Sequence, residues 1–143
     1  MEKLLEEKKF QEIQFGEQKE YEISGNYHPT ERFFTSFRYE KGDAIAYRID
    51  NPEIGDSTEY NIFTVLRFSD NFKVSLGHRY SELKNKIINE EFYAGEINRF
   101  EIDYQFNKAL SSRTVIEKND FSDDYFLEAL LQWKPKPYSI FYI

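Results

Sequence analysis

From Tyr21 onward, apolar and polar residues alternate with a period of two, the pattern of strands whose faces meet different surroundings. Tyr21, Ile23, Gly25 and Tyr27 share one face; Glu20, Glu22, Ser24 and Asn26 share the other. Phe33, Thr35, Phe37 and Tyr39 oppose Phe34, Ser36, Arg38 and Glu40. Tyr60, Ile62, Thr64, Leu66 and Phe68 oppose Asn61, Phe63, Val65 and Arg67. Phe72, Val74, Leu76, His78 and Tyr80 oppose Lys73, Ser75, Gly77, Arg79 and Ser81. The clearest run sets Phe100, Ile102, Tyr104 and Phe106 against Arg99, Glu101, Asp103 and Gln105. Leu110 to Glu117 and Tyr125 to Trp133 repeat the alternation, and Tyr138 to Ile143 is almost wholly apolar. Only residues 2–9 have helical composition. About eight strands with no helices between them predict an all-β fold, an antiparallel up-and-down meander.

The connections add a direction. His28-Pro29-Thr30, Ser69-Asp70-Asn71, Phe106-Asn107-Lys108 and Lys134-Pro135-Lys136-Pro137 read as short turns. Between them lie longer polar links at residues 42–57, 83–91 and 119–124, so short and long connections alternate. An outer-membrane barrel has such an asymmetry, with tight periplasmic turns and longer external loops. Runs such as Glu59 to Phe68 match the roughly 9–11 residues of a tilted spanning strand, beyond the roughly 5–6 of an ordinary one. Tyr and Trp stand near strand ends on the apolar face, where membrane–water interfaces collect them. The expected architecture is therefore an outer-membrane-type barrel, or part of one, over residues 18–143 behind a polar N-terminal segment at 1–17.

Composition then sharpens the picture. Among 143 residues there are 14 Phe, 11 Tyr and one Trp, yet 31% of residues are charged. Alternation reconciles these figures by sorting rings and charges onto opposite faces. The net charge of −7 argues against a nucleic-acid partner, which needs a basic surface. With no Cys, thiol catalysis and Cys-ligated zinc are excluded. No stretch has the roughly 18 apolar residues of a membrane helix or the apolar core of a secretory signal.

Candidate chemistry is sparse. His28 and His78 lack the companions a zinc site needs. Glu90 with Glu91, and Asp123 with Asp124, read as solvated loop charge. The loop from Asn119 to Asp124 offers oxygens but departs from the calcium-loop pattern. Ser111, Ser112 and Ser139 have no nucleophile-elbow glycines beside them. No catalytic residue, cofactor or metal site is expected, and no enzymatic activity.

The run Phe100-Glu101-Ile102-Asp103-Tyr104-Gln105-Phe106-Asn107-Lys108-Ala109-Leu110-Ser111-Ser112-Arg113 looks like a strand–turn–strand unit of bacterial outer-membrane barrels. With Val115 to Asn119, Asp120-Phe121-Ser122-Asp123, Leu127 to Lys134 and Lys136 to Tyr142, it resembles the C-terminal barrel of a family of large bacterial outer-membrane proteins. Those proteins carry an N-terminal carbohydrate-binding domain of the family-9 type before a barrel domain of unknown function. The resemblance covers roughly residues 95–143 well and 18–94 by pattern. It implies membrane lipid as a partner, and carbohydrate only through a domain absent from this chain. It carries no catalytic residues.

Two functions follow. The first is a segment of an outer-membrane barrel that anchors or translocates, its apolar face toward lipid. Turn parity makes that segment a fragment of a larger barrel. The second is a soluble eight-stranded barrel or sandwich, cytoplasmic by its lack of a signal peptide, that binds an apolar ligand or protein partner with the same residues facing inward. Alternation serves both. The first predicts that Ile102→Lys blocks insertion while Glu101→Lys, one residue away, is tolerated.

Overall fold

The computed structural model describes residues 2–5, 8–10, 13–15, 18–47, 52–136 and 139–142, with side chains from Gln18 to Tyr47, from Pro52 to Pro135, and at Phe141 and Tyr142. The described residues form eleven strands: β1 (Glu2–Leu5), β2 (Lys8–Phe10), β3 (Ile13–Phe15), β4 (Gln18–Thr30), β5 (Phe33–Ala46), β6 (Glu53–Ser69), β7 (Phe72–Asn85), β8 (Glu91–Gln105), β9 (Leu110–Asn119), β10 (Asp124–Lys136) and β11 (Ser139–Tyr142). Strands β4 to β11 are an eight-stranded antiparallel up-and-down meander, each pairing with its neighbours in sequence. The sheet is not closed: its order runs from β1 beside β4 to β11 beside β10. Residues 2–9, of helical composition, contribute β1 and β2 instead. Glu2 to Leu5 hydrogen-bond as a ladder along Tyr21 to Gln18, where β4 offers an unpaired backbone edge.

Length is the main departure from the sequence pattern. The polar stretch 42–57 is mostly ladder: Gly42 pairs Ser57, Asp43 pairs Asp56, and pairing continues to Ala46 with Glu53. Likewise β7 runs to Asn85, leaving a turn at 86–90 in which Asn85 Oδ1 accepts from the Ile87 and Ile88 amides. The asymmetry between the two ends is thus carried by polar extensions of the strands more than by loops. Period-two reading stops where hydrophobic contrast stops, but backbone pairing does not. The first tight turn also shifts, to Glu31 and Arg32, with the ladder broken between Tyr27 and Thr30 where Pro29 has no amide to donate. Asn51 and Pro137, read as turn residues, lie outside the described residues.

The sheet buries little apolar surface. Among the described residues the buried hydrophobics are Ile45, Ala46, Val74, Leu83 and Val115. Long cross-strand ladders, not a central core, hold the strands in register. Glycine permits two close approaches. A Cβ on Gly42 would collide with the Lys19 carbonyl across the β4–β5 pair, and on Gly25 the Phe37 ring lies where a Cβ would stand, 2.9 Å away. That ring shields an otherwise bare strand position.

Candidate functional site

The functional feature of this sheet is the contrast between its faces. Away from the register shifts near the strand ends, the pairing registers carry each alternation pattern across the sheet. Tyr27, Thr35, Thr64, Leu76, Phe100, Ile116 and Leu127 form one row on one face. Phe34, Val65, Ser75, Glu101, Val115 and Glu128 form a row on the other. Exposure then gives the curvature. On the inner strands Leu76 is 41% and Ile116 45% exposed on the apolar face. The charged Glu101 side chain is only 17% exposed, and Val115 on its row is 1% exposed. Side chains crowd on the inside of a bend, so the charged face is concave and the apolar face convex.

The concave charges neutralise one another. Lys73 Nζ lies 2.8 Å from Asp103, Arg113 Nε 2.8 Å from Asp103 and 3.7 Å from Glu101, and Arg99 reaches Glu117 at 3.1 Å and Glu101 at 3.5 Å. Sign alternates across the row Lys73, Asp103 and Arg113, from β7 through β8 to β9. A recess of about 470 Å³ adjoins this network at the tight-turn end, lined by Lys73, Asp103, Arg113 and Gln132 together with the apolar Phe72 and Leu130. Glu101 is therefore tied to two arginines. A lysine there would add a third cation beside them, so Glu101→Lys is not the neutral change that its inward placement alone suggests.

A second cluster escaped the sequence reading. Glu20, Glu22 and Glu40 each place a carboxylate oxygen within 4.8 Å of the others, because β4 and β5 pair Glu22 with Glu40. Arg38 answers them, 2.6 Å from Glu40 and 3.2 Å from Glu22. The shared face of Glu20 and Glu22 was visible in the sequence; the register bringing Glu40 alongside was not.

The residues weighed individually stay apart. His78 Nδ1 is 2.7 Å from Asn98 Oδ1 and its ring lies 5.4 Å from that of Tyr60, while His28 sits edge-on to Phe34 at 6.0 Å. Neither histidine belongs to the carboxylate cluster. Glu90 and Glu91 are exposed, as are Asp123 and Asp124. Asn119 Oδ1 accepts from the Phe121 amide, and Asp123 adopts φ 52°, so this segment is a tight polar turn. Ser111 reaches Gln132 at 3.4 Å and Ser112 faces the opposite side of β9; the side chain of Ser139 lies outside the described residues.

Beyond the apolar region, polar side chains decorate the long-connection end. There Asp43 accepts from Lys86 Nζ and from the Lys19 amide. Burial pushes the Asp43 carboxyl up, but these donors outweigh it and hold it below its ordinary range. Among the described residues no helix is long and apolar enough to cross a membrane. Comparison with protein-family models, with curated proteins and with solved structures finds no match for this chain.

Proposed function

We propose that this chain is part of the wall of an outer-membrane β-barrel, serving anchoring or translocation, with its convex face in lipid and its charged face toward the lumen. One observation carries the reading: most of the large exposed apolar side chains share the convex face, Phe63 and Phe126 excepted, and the paired charges of β7, β8 and β9 share the concave one. Ile23, Phe37, Ile62, Leu76, Ile116, Leu127 and Trp133 are all exposed there. An apolar area of that extent on a chain with so few buried hydrophobics needs an apolar solvent. A soluble ligand-binding barrel requires the opposite curvature, with these residues inside.

The polar groups on the convex face behave accordingly. Thr35 and Thr64 share a hydrogen bond of 2.9 Å, and His78 pairs with Asn98. Paired groups avoid the cost of bare donors and acceptors in hydrocarbon. The same cost applies to the open edges. Ile23 to Thr30 on β4, and Asp124 to Leu131 on β10, lack a second strand beside them among the described residues. In a bilayer both must be paired, so the wall is completed by further strands. The resemblance to barrels that follow a family-9-type carbohydrate-binding domain extends this reading to an anchor for a surface sugar-binding protein, and that extension rests on the sequence alone.

The test is a pair of lysines in the chain refolded into detergent or vesicles. Ile102→Lys, on the convex face, should cost about 2–4 kcal/mol and abolish heat-modifiable gel mobility. Asn26→Lys, on the concave face away from the arginine network, should fold normally. Equal tolerance of the two, or a folded chain without detergent, overturns the proposal.

A further inference from the structure

We propose that the convex face carries a lipid-binding notch on β7, β8 and β9, which takes a phospholipid whose head is a phosphate followed by a primary ammonium. The proposal rests on the membrane reading above and adds one particular occupant to the lipid around the wall.

One row of the apolar belt changes character part-way across the sheet. From β5 to β10 it reads Phe37, Ile62, His78, Asn98, Lys118 and Tyr125. It is apolar on β5 and β6 and polar on β7, β8 and β9. Toward the tight turns the next row on those three strands is Leu76, Phe100 and Ile116. Toward the long-connection end the next row pairs Tyr80 with Glu96. Asp120 belongs beside Glu96, because its amide donates to the Glu96 carbonyl at 2.9 Å. A recess of about 450 Å³ lies over these strands. Its floor is apolar, formed by Ile62, Leu76, Phe100 and Ile116, and its outer margin is His78, Asn98 and Lys118.

Passing outward, the wall therefore presents hydrocarbon, then donors, then carboxylates. Lys118 Nζ carries three N–H groups and holds Asp120 at 2.7 Å, which leaves donors to spare. The Asn98 amide is oriented from both sides: its Oδ1 lies 2.7 Å from His78 Nδ1, and its Nδ2 donates to Glu96 Oε1 at 2.7 Å. The second Nδ2 hydrogen is then a further donor beside Lys118. Phosphate oxygens are strong acceptors for this pair. One row further out, about 7 Å along the strands, the Glu96 and Asp120 carboxylates have acceptor capacity for an ammonium. A phospholipid with an ethanolamine head has the same order from its tail outward: hydrocarbon, phosphate, ammonium.

Charge selects against a simpler anionic head. Lys118 faces two carboxylates, so Lys118, Glu96 and Asp120 together sum to one negative charge. A head carrying phosphate alone answers the lysine and leaves the carboxylates facing its outer end. A phosphate–ammonium head sets an opposite charge against each group. At the edge of the hydrocarbon such pairings are weakly screened.

The test uses the chain folded in detergent, with folding confirmed by heat-modifiable gel mobility. Phosphatidylethanolamine and phosphatidylglycerol with the same acyl chains are added in equal amounts, and native mass spectrometry counts the lipids retained. The unaltered chain should retain phosphatidylethanolamine about fivefold over phosphatidylglycerol. Lys118→Ala should reduce retention of both. Glu96→Lys, which sets a second cation beside Lys118, should reverse the preference; Glu96→Gln with Asp120→Asn should erase it and serves if Glu96→Lys does not fold. Lys84→Ala, further out on the same face, should change neither count. Equal retention of the two lipids by the unaltered chain, or an unchanged preference in the folded Glu96 variants, overturns the site and leaves the membrane reading intact. A chain that does not fold in detergent overturns both.

Discussion

Ile102 and Glu101 are adjacent on β8 and meet opposite conditions. Ile102 lies on the convex face between Val74 and Thr114. Glu101 lies on the concave face, hemmed in by Arg99 and Arg113. In a water-soluble sheet the convex and concave roles of such a pair are reversed, because burial and curvature both favour apolar side chains inside. The comparison teaches that period-two patterning fixes which residues travel together, whereas curvature fixes which group faces the surrounding solvent.

The strongest way to break the comparison is to charge the convex face at different depths. Ala129→Arg, midway between Tyr125 and Trp133 on β10, should destabilise the vesicle-folded chain by about 2–4 kcal/mol, whereas Thr58→Arg, beyond Tyr60 toward the long-connection end, should cost only about 0–1 kcal/mol. Denaturant unfolding from vesicles reads both, and equal losses would abolish the depth distinction. The concave face responds differently. Arg113→Ala removes contacts to Asp103 and Glu101, but Lys73 and Arg99 remain beside those carboxylates. A loss of about 1 kcal/mol, shrinking in high salt, is expected from the same unfolding assay. A salt-independent loss would show that the network is not acting through charge.

Smaller again is Phe37→Ala, which uncovers Gly25 across the β4–β5 pair and should cost about 0.2–1 kcal/mol. The smallest effect is pH-dependent and lies at the long-connection end, past Tyr39 on β5. The Asp43 carboxyl titrates below its ordinary value of 3.8. A lowered folded value adds stability above the unfolded one and loses it as pH falls through the folded value. Unfolding measured down an acid series should show that loss, and Asp43→Asn should flatten that part of the profile.

Much of this arrangement was legible in the residues. The face assignments of Tyr21 to Tyr27, Phe72 to Tyr80 and Phe100 to Phe106 needed only alternation, and the meander followed from the lack of intervening helices. Two kinds of information were not legible. Asp43, Asp56 and Ser57 read as loop because both faces are polar there, although their backbones pair as regularly as those of the belt. The Glu20–Glu22–Glu40 cluster and the Arg113 network depend on register between strands, which the turn at Glu31 and Arg32 and the interruption at Pro29 set, and which no single strand encodes. Curvature, too, belongs to the sheet and not to any one strand.

Because the chain has no cysteine, single cysteines introduced one at a time from Arg99 to Tyr104 can carry spin labels without background. Collision of each label with oxygen, which concentrates in hydrocarbon, and with a water-soluble nickel chelate tests the central claim in vesicles. Convex placement in lipid predicts oxygen maxima at positions 100, 102 and 104 and nickel maxima at 99, 101 and 103, alternating along β8. Alternation of the opposite phase, or none, would contradict it.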